Sequence, residues 1–494
     1  MKRFKFLSMG ACLLALCLVS NTVSPVQAHA ASNYKTPGFT VSGTHLKDAR
    51  GNDFIIRGID SPNAWFYQQA YDSIPTLAAT GANTIRVVWN CDSSNPNCSA
   101  ARLDAVLAQI KKYKMIAIPE VHDVTGNTSE SAIADMANFW SRSDYKAVLA
   151  KYKDCCIVNI ANEWGDWFTK DATWRDAYQN GIRIMRNAGI TNTLLVDADD
   201  WGQNPNCIIN EGRNVEAADK LKNTMFSIHM YGNFNDPNKI GSSLKAMQDN
   251  GLCVIVGEFG YDYNNGNNNL GCQVDCDEIM AQCKARGIGY IPWSWTGNDQ
   301  PNAWLDLVDS YGGNFTWWGN HVVNSVNGIR ATAKPCSIYK DENSVLYNFN
   351  SSIDGWTGTN LADGPALTSE WNHNGSGSLK ADINLANGAN YYLSNPSDIS
   401  LSGESQIQAV VRNVPGAKQE SNMGAKLYIK TGNSTKCYYG DEVKVNSSKC
   451  GTVLNLNLTS VPNINNVTEI GVQFTAGANA LGTSTIYLAN VTAN

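Results

Sequence analysis

Glu163 closes the run Asn159-Ile160-Ala161-Asn162, and Glu258 closes Cys253-Val254-Ile255-Val256-Gly257. Each run is short, apolar and β-branched, the composition of a buried strand. Two carboxyl groups facing each other across a site can cleave an acetal. One protonates the leaving oxygen, and at a separation of about 5 Å the other attacks the anomeric carbon itself, so the reaction retains configuration. The acid of such a pair must keep its proton near neutral pH. The nucleophile must stay ionised, which calls for positive charge and hydrogen-bond donors around it. Arg86, His122, Asn162, His229, Tyr231 and Trp293 also stand at or just past the ends of strand-like runs. One glutamate at a strand end is usually an ion-pair partner, but eight such residues at one edge point to a site.

The elements that must position them recur. Apolar runs at Phe54–Arg57, Thr84–Val88, Met115–Glu120, Cys156–Ile160, Thr193–Asp197, Met225–His229, Cys253–Glu258 and Gly289–Trp293 alternate with helix-compatible sequence. Their spacing of roughly thirty to forty residues is that of a βα unit. Eight units predict an α/β fold of the (β/α)8 TIM-barrel type, in which strand C-termini carry the site. A doubly wound open sheet is the competing fold, but no glycine-rich phosphate loop follows the first strand.

After Ala331 the texture changes. Thr332 to Ser344 reads as a connecting stretch, and beyond it short alternating strands such as Ala425–Lys430 and Ile470–Phe474 replace helix periodicity. The expected division is residues 1–31 as an export signal, 32–338 as the barrel, 339–344 as a linker and 345–494 as an all-β jelly-roll sandwich. The signal reading rests on Lys2, Arg3 and Lys5, the apolar run from Phe6 to Val19, and small residues around Ala28–Ala31. It implies a secreted chain with no membrane anchor after cleavage. A net charge of −6 excludes nucleic acid as the main partner. Fourteen tryptophans and twenty tyrosines suit a cleft that grips sugar rings. Fourteen cysteines become twelve once Cys12 and Cys17 are removed, and disulfides are expected in an exported chain. Cys91/Cys98, Cys437/Cys450 and the Cys272/Cys276/Cys283 group are the nearest candidates. Paired CxxC knuckles are missing, so no zinc, other metal or cofactor is implied.

Five ordered blocks carry a family resemblance: Glu120–Gly126, Asn159–Trp164, Phe226–Tyr231, Val256–Gly260 and Trp293–Asn298. From Gly38 to about Ile338 the chain resembles glycoside hydrolase family five, and within it the bacterial endo-β-1,4-mannanases. The resemblance implies Glu163 as acid/base, Glu258 as nucleophile, and Arg86 as the charge beside it. It also implies Asn162 at the sugar 2-hydroxyl, Tyr231 orienting Glu258, Trp293 as a sugar platform, and His122 and His229 lining that subsite. The expected partner is a mannan-type plant cell-wall polysaccharide, cut by a monomer. A β-1,4-glucanase sharing the same pair is the alternative within enzymes. A non-catalytic polysaccharide-binding protein is the alternative outside them. Two loops depart from the pattern: Asp60-Ser61-Pro62-Asn63 replaces a typical Asn-His-Gly-His, and Gly232 replaces an acid. From Val345 to Asn494 the chain is similar to the carbohydrate-binding sandwich of such enzymes, with Trp356, Trp371, Tyr391, Tyr392 and Tyr439 as candidate sugar-facing aromatics. Asn348, Asn350 and Ala489 stand where such modules place calcium-binding acids, so no calcium is expected.

Overall fold

Apolar strands flanked by amphipathic helices can bury both faces only by closing on themselves. The computed structural model describes residues 35–493 apart from 93, 233, 340–343, 374–375, 403 and 417–421. The expected export signal lies outside the described residues. A short hairpin, β1 (Thr40–Ser42) and β2 (His45–Lys47), precedes eight parallel strands paired in chain order. These are β3 (Gly58–Ser61), β4 (Thr84–Trp89), β5 (Ile116–Val121), β6 (Val158–Asn159), β7 (Leu194–Asp197), β8 (Thr224–Met230), β9 (Val254–Phe259) and β10 (Gly289–Tyr290). Parallel bridging of Arg57 to Tyr290 and the Trp295 N–H bond to the Asp60 carbonyl close β10 onto β3. The result is a (β/α)8 barrel.

The first strand lies later than Phe54–Arg57. The Phe54 amide is tied to the Leu46 carbonyl of the hairpin, and pairing with β4 begins only at Gly58. This shift moves Asp60 from a loop to the end of β3.

Helices α1 (Tyr67–Ala79), α2 (Ala100–Lys112), α3 (Glu130–Ser141), α4 (Ser143–Lys151), α5 (Asp171–Asn187), α6 (Pro205–Ala218), α7 (Pro237–Asp249), α8 (Cys276–Arg286), α9 (Trp317–Asn324) and α10 (Ile329–Thr332) surround the strands. Helix α5 is typical: Trp174, Ala177, Tyr178, Gly181, Ile182 and Met185 form its buried stripe. Among the described residues no helix is long and apolar enough to cross a membrane.

The second half is a sandwich of two antiparallel sheets. One contains β11 (Ser344–Tyr347), β13 (Asp363–His373), β14 (Ser376–Leu385), β16 (Gln406–Pro415), β20 (Thr452–Asn457) and β22 (Gly482–Ala493). The other contains β12 (Thr357–Thr359), β15 (Asn390–Ile399), β17 (Met423–Thr431), β18 (Cys437–Tyr439), β19 (Val443–Val445) and β21 (Val467–Ala476). Alternation sends Ala409, Val411, Leu427, Ile429, Val472 and Phe474 into the space between the sheets.

The first sheet also has an apolar outer face. Val410, Val453, Tyr487 and Ala489, with Trp371 and Cys450, join the core of the barrel. Thr76 accepts a 2.8 Å bond from Asn446, and Lys112 pairs with Asp441. Arg330 and His373 line a cavity of about 250 Å³ at this junction. Burial and the Arg330 charge hold the His373 imidazole down at about 3. Residues 81–83 and 113–114, which precede β4 and β5, line the same cavity. The sandwich therefore rests against the N-terminal end of the strands, opposite the end that carries Glu163 and Glu258. Tyr339, which ends a 3-10 turn, donates its hydroxyl to the Met115 carbonyl.

The expected disulfides are not formed: all twelve cysteines of the described residues carry free thiols. Cys276 and Cys283 share helix α8 seven positions apart, roughly 10 Å along its axis, beyond disulfide reach. Cys437 lies on β18 of one sheet, whereas Cys450 is buried against the barrel. Burial pushes the thiols of Cys98, Cys272, Cys276 and Cys450 up to about 12, so they stay protonated.

Candidate active site

The site is built from strand-end residues. Arg86, on β4, has no exposed surface and is the hub. Its guanidinium donates to Glu258 Oε1 at 2.8 Å, Asp60 Oδ1 at 3.0 Å, Asn162 Oδ1 at 2.6 Å and Asn159 Oδ1 at 3.0 Å. Burial opposes its charge, but Asp60, Glu120, Glu258 and Asp197 outweigh burial and raise its pKa further. Burial likewise drives the Asp60 carboxyl well above the usual range against the pull of Arg86, with Glu258 and Glu120 adding to the rise.

Glu258 is held by a cation on one oxygen and a phenol on the other, since Tyr231 donates to Oε2 at 2.8 Å. Burial and the charges of Glu258 and Glu163 push the Tyr231 hydroxyl well above its ordinary value, so it remains a donor.

Glu163 sits just past β6 with φ +48°. A left-handed non-glycine residue costs about 1–2 kcal/mol, and neighbouring bonds offset it. The Glu163 amide donates to Asp197 Oδ2, its carbonyl accepts from Gly126, and the buried Trp164 indole bonds the Ser129 carbonyl. The turn aims the carboxyl at His229, whose Nδ1 lies 2.7 Å from Oε1.

His229 is fully buried between Gly202 and Gly257; a Cβ on Gly202 would lie 2.6 Å from its ring, and one on Gly257 would lie 3.3 Å from Nε2. The β8–β9 register shifts at this point, so that His229 pairs with Glu258 rather than Gly257. Burial alone would lower the imidazole pKa, but the charges of Glu258 and Asp197 and the bond to Glu163 raise it to about 9. It is a cation at neutral pH, with Nδ1 toward Glu163 and Nε2 facing Asp197 Oδ2 at 3.5 Å. Single ligand atoms of Glu163, His229 and Glu258 all lie within 4.8 Å of one another.

The carboxylates open onto a cleft of about 490 Å³. Trp293, joined to Ser294 by a cis peptide, stacks on His122 at 5.6 Å, and its indole is held by Asn298 Oδ1 at 2.9 Å. His122 bonds Glu120 at 2.9 Å, and Trp65 meets its ring edge-on. Of the eight expected barrel residues, Glu163, Glu258, His122, Tyr231 and Trp293 line the cleft. Arg86, Asn162 and His229 do not; they stand fully buried behind the carboxylates, where their hydrogen bonds are needed. Asn162 spends Oδ1 on Arg86 and an N–H on Thr125.

Sequence reasoning missed Asp60, Glu120, Asn159 and Asp197 as members of this network. Each is a polar residue inside or ending an apolar strand, a signal that was legible. It also missed Trp201, which lines the cleft beside Glu163. In the sandwich, three of the five candidate aromatics are core. Trp356 is buried edge-on against Tyr347 and Phe349. Trp371 is buried at the barrel contact, with its indole bonded to the Lys449 carbonyl. Tyr391 shares the inward face of β15 with Leu393 and donates to the Asn384 carbonyl at 2.6 Å. Tyr392 and Tyr439 keep exposed surface and flank Tyr428 at 6.3 and 5.6 Å.

A closed parallel barrel with two buried-edged glutamates meeting at its C-terminal mouth defines a carbohydrate-cleaving hydrolase. Residues 47–299 match the cellulase (glycosyl hydrolase family 5) family, and residues 347–490 match the mannanase, galactose-binding domain-like family. The chain belongs to glycosyl hydrolase family 5 and is a glycoside hydrolase. A mannan endo-1,4-β-mannosidase of Salipaludibacillus agaradhaerens is 38% identical over 309 residues, 62% of this chain and 97% of that protein. One from Cellvibrio japonicus is 32% identical over 362 residues, 72% of this chain and 78% of that protein. The barrel superposes on the mannohexaose complex of Thermomonospora fusca β-mannanase with a TM-score of 0.56 and 34% identity, covering 61% of this chain and 99% of that one.

Proposed function

We propose that this protein is a secreted endo-β-1,4-mannanase that hydrolyses mannan, glucomannan or galactomannan by double displacement. The observation that carries the reading is the meeting of Glu163 and Glu258 oxygens within 4.8 Å, each with different partners. That spacing suits direct carboxylate attack and leaves no room for an intervening water. Glu163, with the His229 imidazolium at its Oε1, gives its proton to the leaving oxygen and is then stabilised as an anion by that same cation. Glu258, ionised between Arg86 and Tyr231, attacks the anomeric carbon and forms a glycosyl ester. Esterification removes the Glu258 charge. Glu163 then takes a proton from water, which attacks the ester and releases the sugar. Trp293 and His122 supply the flat wall on which the reacting sugar lies.

The choice of mannan over glucan is supported by the names of the similar enzymes and by the mannanase-like Ile228–Tyr231 and Trp293–Trp295 runs. Export is supported by the basic and then apolar start of the chain. The sandwich would tether the enzyme to insoluble polysaccharide through the outer face bearing Tyr392 and Tyr439. Reducing-sugar release from galactomannan, glucomannan and carboxymethylcellulose tests the assignment. Mannan-type substrates should be cut, and a clear preference for carboxymethylcellulose would replace it with a glucanase.

A further inference from the structure

The cavity at the junction of barrel and sandwich holds a guanidinium that no carboxylate balances. Its volume is about 250 Å³, room for a small ligand rather than a single water. Arg330 and Lys114 reach it from the barrel, His373 and Asn490 from the sandwich. No aspartate or glutamate of the described residues lines it. His373 is held neutral, so the charged groups at the cavity are Arg330 and Lys114.

Arg330 is poorly matched by its protein neighbours. Its Nη groups donate to Asn324 Oδ1 at 2.8 Å and to the Ala79 carbonyl at 3.3 Å, both neutral acceptors. Its Nε–H is buried and has no hydrogen-bond partner among the described residues. Burial pulls the guanidinium below its ordinary pKa, and among those residues only Cys450 opposes the pull. That thiol is itself pushed up to about 12 by burial, so it carries no charge. A cation taken out of water without a counter-ion is costly. Asn490, on β22, has the complementary want: its Oδ1 is buried and accepts no hydrogen bond from the described residues.

We propose that this cavity binds inorganic phosphate, which joins Arg330 of the barrel to Asn490 of the sandwich. The two orphaned groups ask for one ligand with an anionic acceptor and a proton to give. A phosphate oxygen accepts from the Arg330 Nε–H and supplies the missing negative charge, a pairing that suits the planar guanidinium. At neutral pH phosphate keeps a P–OH, which donates to Asn490 Oδ1. Sulfate has the same shape but no proton, so it leaves that oxygen facing another acceptor. Water meets both hydrogen bonds but not the charge, and chloride meets the charge but not the Asn490 acceptor. Because the ligand touches both domains, its binding stabilises their docked arrangement by mass action.

Calorimetric titration of the full chain with sodium phosphate, near neutral pH and at constant ionic strength, tests this. One phosphate should bind per chain, and the thermal midpoint should rise with phosphate concentration. Sulfate should bind at least about tenfold more weakly. Arg330→Lys keeps the charge but loses the Nε–H, and should weaken phosphate binding about tenfold. Asn490→Asp sets a carboxylate beside the guanidinium and should abolish binding. Wild-type circular dichroism checks the fold of each variant, and Asn490→Asp keeps the test open if Arg330→Lys does not fold. A Kd no lower than about 1 mM, wild-type affinity in either variant, or sulfate binding as tight as phosphate would overturn the proposal. Glycerol phosphate binding more tightly than the free ion would overturn the assignment to inorganic phosphate in favour of an ester.

Discussion

The Nδ1 atom of His229 lies 2.7 Å from Oε1 of Glu163, and the imidazole carries its proton up to a pKa of about 9. A histidine whose folded pKa exceeds the ordinary 6.5 contributes stability that is fully present below pH 6.5 and is lost as pH rises through 9. The stability advantage of wild type over His229→Gln should therefore shrink by up to about 3 kcal/mol between pH 6 and pH 10. The alkaline limb of kcat/KM should also change in the variant. Denaturant titrations at several pH values, beside a pH–rate profile, check both. A pH-independent stability difference would mean that the imidazole is neutral.

Glu258→Gln and Glu163→Ala should each reduce polysaccharide hydrolysis by roughly 100- to 10,000-fold or more. Glu163→Ala should lose much less on a dinitrophenyl glycoside, whose leaving group departs without a proton. Retained melting temperatures would separate lost chemistry from lost fold. Near-normal turnover of mannan by either variant contradicts the roles given to them.

Arg86 compensates Asp60 and Glu258 at direct hydrogen-bond distance and is fully buried. Arg86→Met should destabilise the barrel by about 3–5 kcal/mol, because it strands buried carboxylates. Urea unfolding followed by tryptophan fluorescence measures this. A loss below about 1 kcal/mol would show that the carboxylates simply take up protons.

Stereochemistry provides an independent check. With the carboxylates this close, the newly released reducing end should appear first as the β-anomer in proton NMR, before mutarotation. An initial α-anomer would require an intervening water and a gap of roughly 6.5–9.5 Å.

A chain ending at residue 338 should keep its turnover on soluble mannan per folded molecule, since the cleft and the sandwich lie at opposite ends of the strands. It should unfold at lower denaturant, because Val410, Val453, Trp371 and Tyr487 no longer cover the barrel, and it should bind insoluble mannan less well. Equal stability with and without the sandwich would make the junction incidental.

The pair of glutamates at the barrel mouth, the eight-unit barrel and the change to an all-β second half were legible in the sequence alone. Strand periodicity and the polar residue that ends each strand are local properties, and a parallel barrel necessarily gathers its strand ends at one mouth. Registers and partners were not legible. Phe54–Arg57 has the composition of the first strand, yet a bond to the hairpin draws Phe54 away and leaves the strand to Gly58–Ser61. The sequence could not tell Trp371 and Tyr391 from sugar-facing rings, because an aromatic on a strand has the same local signature whichever sheet face is covered. Only the packing of one sandwich sheet against the barrel buried Trp371 and left Tyr392 and Tyr439 open. Likewise, composition marked Arg86, Asn162 and His229 as polar strand ends, but whether they touch substrate or hold the groups that do was decided by depth. Depth is set by the closure of the barrel and the glycines that let His229 in, both of which join residues far apart in the chain.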